Sequence, residues 1–592
     1  MITKPSYVAD FETITRNGKE CVWLFDICNI VTLTHNHAHD IIDFMEIIDN
    51  MKTGSTIYFH NLKFDGSFLI DYMIKNGYEF KNVTSNKLKK YQFNVLMTEF
   101  GSFVKMTYKN KNGKCIEFVD SLKILPLSVK KLAKDFNLDI MKGEIDYKKT
   151  RELGYKANKK EIAYVQNDTE IVAKCLKIFL ENGNNKITIS SCAFEDYMEI
   201  IGKSKYKAWF GEWERNATLE LDNDIRAAYR GGFCQCNNDY VAKTIKSPVW
   251  YNDVNSLYPF VMRTAKLPYG MPKEFSGRYV HDEKFPYYIQ KIQVDMSLKS
   301  DGIPCILNKS KGPNCKYIVD TLDGVGNFIE LTLTCFDFEL MIKNYDINEI
   351  KFLGGYKFAV RNDMFTDYVD KYYKMKQNAT ITENWAMRTI AKLFLNSLYG
   401  KFGQNPVRRK KLPYVDMDGK IKYYKSEKSI AKKFKYLPIA VFITSIARYK
   451  ILNDIEKIGK DNWVYTDTDS ILSTVRLPND MIDNEKLGLY KIEHVFKKTR
   501  VLGPKTYWGK DIKNEIICKA CGCNKKALHN FPIGKFNFGN SIKNGRVTLK
   551  TVVGGKKLDF ADFTIRDKLQ KQTIINRIEK PIDIKIKNSD WK

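Results

Sequence analysis

The run WVYTDTDSIL, residues 463–472, places two acidic residues between two apolar segments. Both segments are rich in residues that favour β-strands, so the run predicts a β-hairpin whose turn carries Asp467 and Asp469. Two carboxylates in so tight a turn repel each other unless a cation lies nearby. Hard oxygen ligands select Mg²⁺ or Mn²⁺, and Mg²⁺ usually binds together with substrate phosphates. A solvated acidic turn is the alternative interpretation, and the apolar flanks argue against it.

The composition of the whole chain favours a polyanionic partner. Its 592 residues include 97 Lys and Arg against 69 Asp and Glu, which gives a formal net charge of +28. Such an excess is typical of proteins that bind nucleic acid. The length predicts several domains, and the 13 cysteines show no disulfide pattern, which favours a reducing cytoplasm. No signal peptide is recognised, and the longest apolar run, 437–447, is shorter than the roughly 20 residues of a membrane span.

A second group of acids lies in the first third of the chain. Asp10 and Glu12 alternate along a predicted strand, so they share one face. Asp65 follows a predicted strand that enters a helix, and Asp168 lies one helical turn after Tyr164. Four acids arranged in this way could hold two cations, which activate water on one side of a phosphodiester and stabilise the leaving oxygen on the other. Tyr164 could orient the water.

A further carboxylate comes at the end of a predicted strand in VWYNDVNSLYP, residues 249–259. Asp253 ends that strand, and Tyr258 follows five residues later, where its ring could lie beneath a sugar. A single Asp at a strand end is normally a cap. Together with the acidic hairpin, Asp253 instead completes a pair of carboxylates for a second metal site.

Residues 385–403 predict a long helix with one polar face. Arg388, Lys392, Asn396 and Tyr399 are spaced by four, four and three residues, so they lie on the same side. A cationic face of this kind suits a triphosphate, with a base near Tyr399. A solvated helical face is the alternative.

Several weaker signals point to contact with a phosphate backbone. Residues 407–433 carry ten Lys or Arg against three acids and predict a basic hairpin. The paired glycines of YRGGF, 229–233, let a backbone approach a phosphate closely. In KTY, 505–507, period-two alternation places the Lys and the Tyr on the same strand face, and residues 541–592 predict a basic arm.

Two groups of potential zinc ligands are interpreted as structural. The imidazoles of HNHAH, 35–39, lie in a predicted loop without thiolates or acids at ligand spacing. Cys518, Cys521, Cys523 and His529 are irregularly spaced, which favours buried thiols over a zinc site.

Taken in order, these motifs resemble those of family B DNA polymerases. The polymerase motifs of that family resemble four stretches of this chain: DVNSLYP (253–259), 392–400, YTDTDS (465–470) and KTY (505–507). The motifs of its 3′–5′ proofreading exonuclease resemble three stretches: DFE (10–12), 61–65 and 164–168. The compact length and the intervening segments are similar to the protein-primed branch, which is typified by replicases of small tailed bacteriophages.

The resemblance implies a role for each polymerase residue. The catalytic acids would be Asp253, Asp467 and Asp469, with metal bound by Asp253, Asp469 and the carbonyl of Val254. The nucleotide would contact Tyr258 (as a steric gate against a ribose 2′-OH), Arg388, Lys392, Asn396 and Tyr399. The DNA would contact Tyr229, Gly231, Gly232, Thr444, Arg448, Lys505 and Tyr507. A longer segment between Tyr372 and Arg388 leaves open whether Lys374 or Lys376 also contacts the triphosphate.

It implies the exonuclease residues in the same way. The metal ligands would be Asp10, Glu12, Asp65 and Asp168, with Tyr164 positioning water and Lys142 assisting. The frayed strand would be held by Asn61, Phe64, Ser121 and Leu122.

The implied fold is a multidomain α/β protein, with an RNase H-like exonuclease domain followed by a right-hand polymerase domain of palm, fingers and thumb. The expected divisions are the exonuclease domain 1–190, the first part of the palm 191–261, terminal-protein region 1 at 262–358, a palm segment and the fingers 359–404, terminal-protein region 2 at 405–433, the second part of the palm 434–540, and the thumb 541–592. The first insertion would contact template and priming protein, and the second would help to encircle the duplex.

The implied activity is protein-primed DNA replication with strand displacement and proofreading. Its cofactors would be Mg²⁺ or Mn²⁺, two in each site, without zinc. Its partners would be template and primer DNA, nucleotides, a terminal protein and a phage single-stranded-DNA-binding protein. The chain would act as a monomer in the host cytoplasm, away from membranes. Three alternatives are a polymerase that only elongates primers, a non-catalytic DNA-binding subunit and an RNA-templated polymerase. The complete acid sets argue against the second, and the DTD turn with Tyr258 argues against the third.

Overall fold

The computed structural model of the chain describes residues 4–146, 149–152, 154–309, 316–318 and 328–566. Within these ranges, no helix combines the length and the apolar character needed to cross a membrane. The apolar run at 437–447 instead belongs to a helix that is buried in the largest core of the protein.

The first part of the chain forms a module around one mixed sheet, which we call the N-terminal module. Its strands are β1 (Ser6–Arg16), β2 (Lys19–Asn29), β3 (His35–Ala38), β4 (Ser55–Phe59), β5 (Glu79–Phe80), β6 (Gln92–Met97), β7 (Phe103–Lys109) and β8 (Cys115–Asp120). Its helices are α1 (Ile41–Asn50), α2 (Leu62–Lys75), α3 (Val129–Asp135) and α4 (Lys159–Glu181). The eight strands pair in the order β3-β2-β1-β4-β8-β7-β6-β5.

The centre of this sheet explains how acids from separate segments meet. Strands β1, β4 and β8 run parallel, so their carboxyl ends lie at the same edge. Phe11 of β1 packs edge to face on Phe44 and Phe59, with ring centroids 4.9 and 5.1 Å apart. Because neighbouring residues of a strand point to opposite faces, Phe11 anchors the core side and leaves Asp10 and Glu12 on the other face. Helix α4 packs across β1 and β2 on that face.

Residues 189–361 begin with three helices, which are followed by strands and two further helices. These elements are α5 (Ile189–Ile201), α6 (Lys203–Asn216), α7 (Leu219–Ala228), β9 (Cys234–Cys236), β10 (Thr244–Ile245), β11 (Val249–Val254), α8 (Leu257–Thr264), β12 (Leu267–Phe275), β13 (Tyr287–Leu298), β14 (Leu307–Asn308), β15 (Lys316–Tyr317), β16 (Ile329–Thr334), α9 (Cys335–Asn344) and β17 (Tyr345–Arg361). Strands β12, β17, β13 and β16 form a separate four-stranded sheet, which we call the insertion sheet.

Residues 366–564 contain the long helices and the remaining strands. These elements are α10 (Thr366–Ile381), α11 (Trp385–Phe402), β18 (Val407–Arg408), β19 (Lys411–Val415), β20 (Ile421–Lys425), β21 (Ser429–Ile430), α12 (Leu437–Ile458), β22 (Trp463–Asp467), β23 (Ser470–Ser473), β24 (Tyr490–Gly503), β25 (Thr506–Asp511), β26 (Ile516–Lys519), β27 (Ser541–Val552) and β28 (Gly555–Thr564). The central sheet has the order β26-β25-β24-β11-β23-β22-β9, with β10 paired to β24.

Two β-hairpins from the later part of the chain pack against the N-terminal module. The pair β19–β20, which we call the basic hairpin, inserts Ile421 into the core of the N-terminal module and packs Tyr423 on Phe103. The pair β27–β28, which we call the C-terminal hairpin, rests its tip on the same module, where the Glu20 amide donates a 2.9 Å hydrogen bond to the Val553 carbonyl. The two hairpins also contact each other.

The elements predicted from local patterns are confirmed, including the acidic hairpin, the strand of Asp10 and the helix at 385–403. The histidines at 35–39 were wrongly expected in a loop, because His35–Ala38 forms the edge strand β3. His35 Nδ1 lies 2.8 Å from the buried Asp26 carboxylate of β2, and this contact holds β3 against the sheet. Residues 567–592 of the expected thumb lie outside the described residues.

The tip of the C-terminal hairpin gives a test of this connection. Gly554 has a φ of 92°, and a Cβ there would collide with the Glu20 carbonyl oxygen. We expect Gly554→Ala to lower the free energy of unfolding by about 1–3 kcal/mol and to expose the tip to proteases. Gly534→Ala is the matched control, because its Cβ would meet nothing within 4 Å. Equal melting temperatures and digestion rates for the two variants would contradict the docked tip.

Two candidate active sites

The four acids predicted near the N-terminus lie together at one edge of the sheet. Asp10 and Glu12 extend from β1, Asp65 lies in the first turn of α2, and Asp168 lies on α4. The Phe11 amide donates a 3.3 Å hydrogen bond to Asp65 Oδ1, which ties α2 to β1. Glu12, Asp65 and Asp168 are buried, and Asp10 is half-buried. The fold thus gathers the carboxylates that the sequence singled out.

Burial and like charge oppose ionisation of these carboxylates. Burial, and then the charge of Asp168, raise the pKa of Asp10 to about 7. Burial and the charge of Asp10 also raise the pKa values of Glu12 and Asp65. Lys142 acts in the opposite direction, since its ammonium group forms an ion pair with Asp168. One lysine cannot neutralise four carboxylates, so the site still favours added cations.

The donor groups of this site fit divalent cations, which carboxylate oxygens bind well. Asp168 Oδ1 is buried and has no hydrogen-bond partner within the described part of the chain. Across the described ranges, no three carboxylate, thiol or imidazole groups lie close enough to form a complete metal site. The carboxylates would therefore have to approach one another around a bound ion.

Asp120 organises the segments that the sequence predicts to hold a single strand. Its Oδ1 accepts hydrogen bonds from the Asn61 and Leu122 amides, each at 3.1 Å. Asn61 adopts a φ of 94° immediately before α2, and Phe64 packs edge to face on Phe68. No local sequence pattern indicates this role of Asp120, because its partner Asn61 lies 59 residues away.

Ser121 differs from the prediction that it grips DNA. Its side chain is fully buried, and its hydroxyl donates a 3.1 Å hydrogen bond to the Phe59 carbonyl. The hydroxyl also lies 3.0 Å from His60 Nδ1. Ser121 therefore joins β4 to the end of β8, and its predicted contact with a single strand stays a prediction.

The second site lies where β11 meets the acidic hairpin of the central sheet. Asp253 pairs with Ser470 across the sheet, and the Val254 amide donates a 2.7 Å hydrogen bond to the Asp469 carbonyl. Thr468 turns the chain with a φ of 65°. The backbone thus brings the carboxylates of Asp253 and Asp469 together from positions more than 200 residues apart.

The charges around these carboxylates distinguish their roles. Burial, and then the charge of Asp469, raise the pKa of Asp253 to about 7. Burial raises the pKa of Asp469 to about 6, and the charge of Asp467 contributes. Asp467 itself is paired with Lys505, whose Nζ lies 2.8 Å from Oδ1. Within the described ranges, Asp253 and Asp469 therefore have no ion-pair partner, whereas Asp467 is paired with Lys505.

The predicted nucleotide face lies beside this pair. Lys392 and Asn396 are exposed on α11, and the Arg388 Nε donates a 3.2 Å hydrogen bond to the Thr380 hydroxyl. Tyr258 and Tyr399 pack together with ring centroids 4.4 Å apart. The two rings form a floor between the acids and the cationic face.

The sequence left open whether Lys374 or Lys376 contacts the triphosphate, and the two lysines have different environments in the structure. Burial lowers the pKa of Lys376 to about 8, and the neighbouring charges of Arg388, Lys392 and Lys491 act in the same direction. Lys374, two residues earlier, is exposed. Helical spacing directs Lys376 towards the cationic face of α11, whereas Lys374 points elsewhere.

Thr444 and Arg448, which were predicted to contact DNA, are buried side chains on α12. Arg448 is only 3% exposed and donates hydrogen bonds to both oxygens of Asp337 on α9 and to the carbonyls of Arg230 and Gly231. Thr444 is equally buried, and its hydroxyl bonds to carbonyls within α12. Arg448 therefore supports the glycine loop from the interior, whereas the Thr444 hydroxyl bonds within α12.

Lys505 and Tyr507 do not share a strand face as predicted. Lys505 lies in the turn between β24 and β25 with a φ of 56°, which breaks the alternation of side chains. Its ammonium group reaches Asp467, whereas Tyr507 is buried beside Tyr251 and Tyr465.

The glycine loop at 229–233 packs directly on the acidic turn. A Cβ at Gly232 would lie 2.6 Å from Thr468 Cγ2, so a side chain there would displace the turn. A Cβ at Gly231 would meet nothing within 4 Å, and Tyr229 packs against Gly403 at the end of α11. The loop therefore connects the acidic turn to the helix of the nucleotide face.

The thiols of Cys518, Cys521 and Cys523 are half-buried rather than fully buried as expected. Cys518 and Cys523 pack against a small core that includes Trp508. Burial raises the pKa of Cys518 to about 12.

Comparison with known proteins assigns the chain to a family. A family model described as DNA polymerase type B, organellar and viral, matches residues 48–156 and 147–486. The chain belongs to this family.

Curated relatives of this polymerase cover nearly its whole length. The DNA polymerase of Bacillus phage phi29 is 36% identical over 514 residues, which covers 85% of this chain and 86% of the relative. The DNA polymerase of Bacillus phage M2 is 33% identical over 577 residues and covers 95% of each chain. The DNA polymerase of Streptococcus phage Cp-1 is 29% identical, covering 95% of this chain and 98% of the relative.

Solved structures agree with this polymerase in fold. Phi29 DNA polymerase complexed with single-stranded DNA has a TM-score of 0.87 at 33% identity, covering 95% of this chain and all of that chain. The ternary complex of the same protein with primer-template DNA and incoming nucleotides has a TM-score of 0.86, with the same identity and coverage. The predicted multidomain α/β fold, with an exonuclease domain followed by a right-hand polymerase domain, is confirmed. Homology to DNA polymerases also implies the use of divalent metal.

The contact of Gly232 with Thr468 predicts a specific loss in this polymerase. We expect Gly232→Ala to displace the acidic turn and to lower nucleotide incorporation by about 10²-fold, because small shifts of reacting groups are costly. Primer degradation at the N-terminal site should persist, since that site does not contact the loop.

Gly231→Ala is the control for this prediction, as it adds the same methyl group in open space. Steady-state incorporation of a single nucleotide is the measurement. Equal losses in both variants would show that the loop acts through its flexibility and not through the turn.

Proposed function

We propose that this polymerase replicates a linear phage genome by protein-primed, template-directed DNA synthesis with 3′–5′ proofreading. The observation that carries the proposal is the position of Asp253 and Asp469 beside a cationic helix face and a floor of two tyrosines. Carboxylates without a cation suit metal-bound phosphates, and the cationic face suits the rest of a triphosphate. Phi29 DNA polymerase has been solved in complex with primer-template DNA and with incoming nucleotides, which supports DNA and nucleotides as partners of this chain.

At the polymerase site, the protein acts mainly by positioning and by charge. Asp253, Asp469 and the Val254 carbonyl would hold two Mg²⁺ or Mn²⁺ ions. These ions stabilise the attacking primer oxygen and the leaving phosphate oxygen when bound. Lys505 neutralises Asp467, which keeps the turn compact while the other two acids remain available.

The nucleotide would lie between α11 and the tyrosine floor. Lys376, Arg388 and Lys392 would bind its triphosphate, and Asn396 and Tyr399 would contact the new base pair. Tyr258 would exclude a ribose 2′-hydroxyl by steric contact with the sugar. The loop of Tyr229, Gly231 and Gly232, with Lys505, would contact the primer strand. Thr444, Arg448 and Tyr507 would support this contact from the interior.

At the exonuclease site, Asp10, Glu12, Asp65 and Asp168 would bind the metal ions. Tyr164 lies one helical turn from Asp168, where its hydroxyl would orient the attacking water. Lys142 would stabilise charge near Asp168, with which it is already paired. The frayed strand would lie along the segments of Asn61, Phe64 and Leu122 that Asp120 joins, and contact at Ser121 would involve its backbone.

The two hairpins suggest how the enzyme would stay on DNA. The basic hairpin and the C-terminal hairpin both rest on the N-terminal module and on each other. A duplex leaving the polymerase site would be enclosed by them, which favours long synthesis and displacement of the strand ahead. The domain divisions given in the sequence analysis are part of this proposal, with 262–358 contacting template and priming protein and 405–433 closing around DNA.

The remaining partners follow from the same branch of the family. We propose a terminal protein as primer, a phage single-stranded-DNA-binding protein as accessory, and action as a monomer in the host cytoplasm without zinc. A polymerase that only elongates primers is the second candidate. Incubation with a candidate terminal protein and one labelled nucleotide distinguishes them, because only the first yields a covalent nucleotidyl-protein.

Primer extension on a singly primed circle tests the proposed activities. Without helicase or clamp, wild type with Mg²⁺ should form products longer than one circle. Asp469→Ala should reduce synthesis by about 10³-fold or more while degradation of the primer continues. Asp10→Ala/Asp65→Ala should extend the primer but not degrade it.

Each variant controls the other, because each retains one site. Extension by Asp469→Ala would refute the assignment of the polymerase acids. A wild type that degrades the primer but never extends it would refute the polymerase proposal.

The environment of Lys376 predicts a distinct kinetic effect. We expect Lys376→Met to raise the KM for the nucleotide by about 10-fold or more, as a charge-assisted contact contributes about 1.5–3 kcal/mol. Lys374→Met is the matched control and should leave the KM within about twofold. A larger effect of Lys374→Met in single-nucleotide kinetics would assign the contact to Lys374 instead.

A further inference from the structure

Three lysines from separate parts of the chain lie on elements that contact one another where the two hairpins rest on the N-terminal module. Lys63 lies in the first turn of α2, Lys411 begins β19 and Lys556 follows the tip of the C-terminal hairpin. We call these residues the lysine triad. No sequence pattern groups these lysines, because they lie more than 100 residues apart.

Packing around the triad is tight. A Cβ at Gly555 would lie 2.5 Å from the Phe68 ring, so the hairpin tip rests directly on α2. Lys411 Nζ lies 3.5 Å from the Cβ position of Gly101, which holds this lysine against the N-terminal module. As a result, Lys556 is only 6% exposed.

The triad lacks the acids that normally accompany a buried lysine. Among the described residues, no carboxylate oxygen lies within 4.0 Å of the ammonium groups of Lys63, Lys411 or Lys556. Other lysines of the same hairpin do have partners: Lys550 pairs with Asp559 at 2.9 Å, and Lys557 donates to the Thr15 hydroxyl at 2.7 Å. Burying an ammonium group without a counter-charge is unfavourable, and like charges nearby add to the cost.

The effect on Lys556 agrees with this geometry. Burial, and then the charges of Lys63 and Lys411, lower the pKa of Lys556 to about 8. A ligand that carries negative charge would relieve both costs, since it would restore favourable partners for all three ammonium groups.

The position of the triad indicates which anion it meets. Lys63 lies two residues after Asn61 and directly before Phe64, the segment proposed to hold the frayed strand. Phe64 packs on Phe68, which in turn supports the hairpin tip beside Lys556. The backbone phosphates of a strand that enters the exonuclease site would therefore lie along the contact between α2 and the C-terminal hairpin.

We propose that the lysine triad is a phosphate-binding subsite for single-stranded DNA at the entrance to the exonuclease site. This inference rests on the proposed exonuclease function. The strand would join three segments that otherwise repel one another: α2, the basic hairpin and the C-terminal hairpin. Binding of the strand would thus hold the hairpin tip against the N-terminal module while the primer end is degraded.

Salt-dependent binding of a single strand is the first test. Affinity of the full-length protein for a labelled oligothymidylate is measured by fluorescence anisotropy over a range of salt, with EDTA to prevent degradation. Each phosphate contact to a single strand contributes about 0.7 to the slope of log affinity against log salt. We expect Lys556→Met to reduce the slope by about 0.7 and to weaken binding severalfold.

Lys550→Met is the matched control, because it removes the same charge from the same hairpin at a lysine that already has an acidic partner. It should change the slope by less than half as much. Equal slopes for wild type and Lys556→Met, or equal losses in the two variants, would overturn the proposal.

Thermal melting separates a binding role from a structural one. Because Lys556 is buried without an acidic partner, Lys556→Met should melt at the same temperature as wild type or higher when DNA is absent. The oligonucleotide should raise the melting temperature of wild type more than that of the variant. A Lys556→Met protein that melts lower and keeps the wild-type salt slope would make the lysine structural and would overturn the proposal.

Inorganic phosphate is the second probe, since it shares the chemistry of the DNA backbone. We expect it to stabilise wild type less than an oligonucleotide at equal phosphate concentration. An equal shift with both probes would identify a site for free phosphate and would overturn the assignment to DNA.

Failure of the inference is distinguishable from failure of the proposed function. A wild-type protein that neither binds nor degrades the oligonucleotide with Mn²⁺ would refute the exonuclease itself. A wild type that does both, with Lys556→Met unchanged in slope, would refute only the triad.

Discussion

The structure depends on carboxylates that the backbone holds close together although they repel one another. In the central sheet, Asp253 and Asp469 are brought together by the pairing of β11 with β23 and by the hydrogen bond from Val254 to the Asp469 carbonyl. In the N-terminal module, parallel strands and α4 gather four more. Such arrangements are costly without cations, so they persist only where many surrounding contacts determine the backbone. Much of the fold provides the contacts that hold the backbone in place at the two sites.

The strongest support for the acidic turn comes from a buried ion pair outside the site. Arg448 binds both oxygens of Asp337 and the carbonyls of Arg230 and Gly231, so every charge and most polar atoms of the group are satisfied. Burial makes such a network costly to desolvate, and its hydrogen bonds offset that cost only when they are complete. Loss of one partner leaves an unpaired charge in the core. Through Gly232 and Thr468, this network connects α9 and α12 to the turn. The insertion sheet and the polymerase site are therefore mechanically linked.

The sequence predicted the elements that depend on local periodicity. It did not predict the side-chain environments that depend on contacts between distant segments. The acidic hairpin, the strand of Asp10 and the helix of Lys392 follow from alternation and helical spacing, which each segment carries by itself. Lys505 was misplaced because a left-handed turn interrupts the strand. The burial of Ser121 and Arg448 depends on residues up to 218 positions away, as with the Arg230 carbonyl. Lys376 could be chosen over Lys374 only once α10 and α11 were seen to pack together.

Among the described residues, the charges without an ion-pair partner are of two kinds, carboxylates and lysines, and the two kinds are neighbours at the polymerase site, where Lys392 acts on Asp253. Carboxylates gather at the two sites, where phosphates can approach only with cations, and lysines gather at the nucleotide face and at the seam of the hairpins. A protein of +28 could have neutralised its buried acids with nearby lysines, as it does at Asp467 and Asp168. Within the part of the chain that the structure describes, such ion pairs form at one acid in each cluster. The remaining acids lack a positive counter-charge, which metal ions would supply. The remaining lysines lack a negative counter-charge, which the phosphates of a nucleic-acid backbone would supply. The bound substrate would therefore complete the electrostatics of the fold as well as occupy its sites.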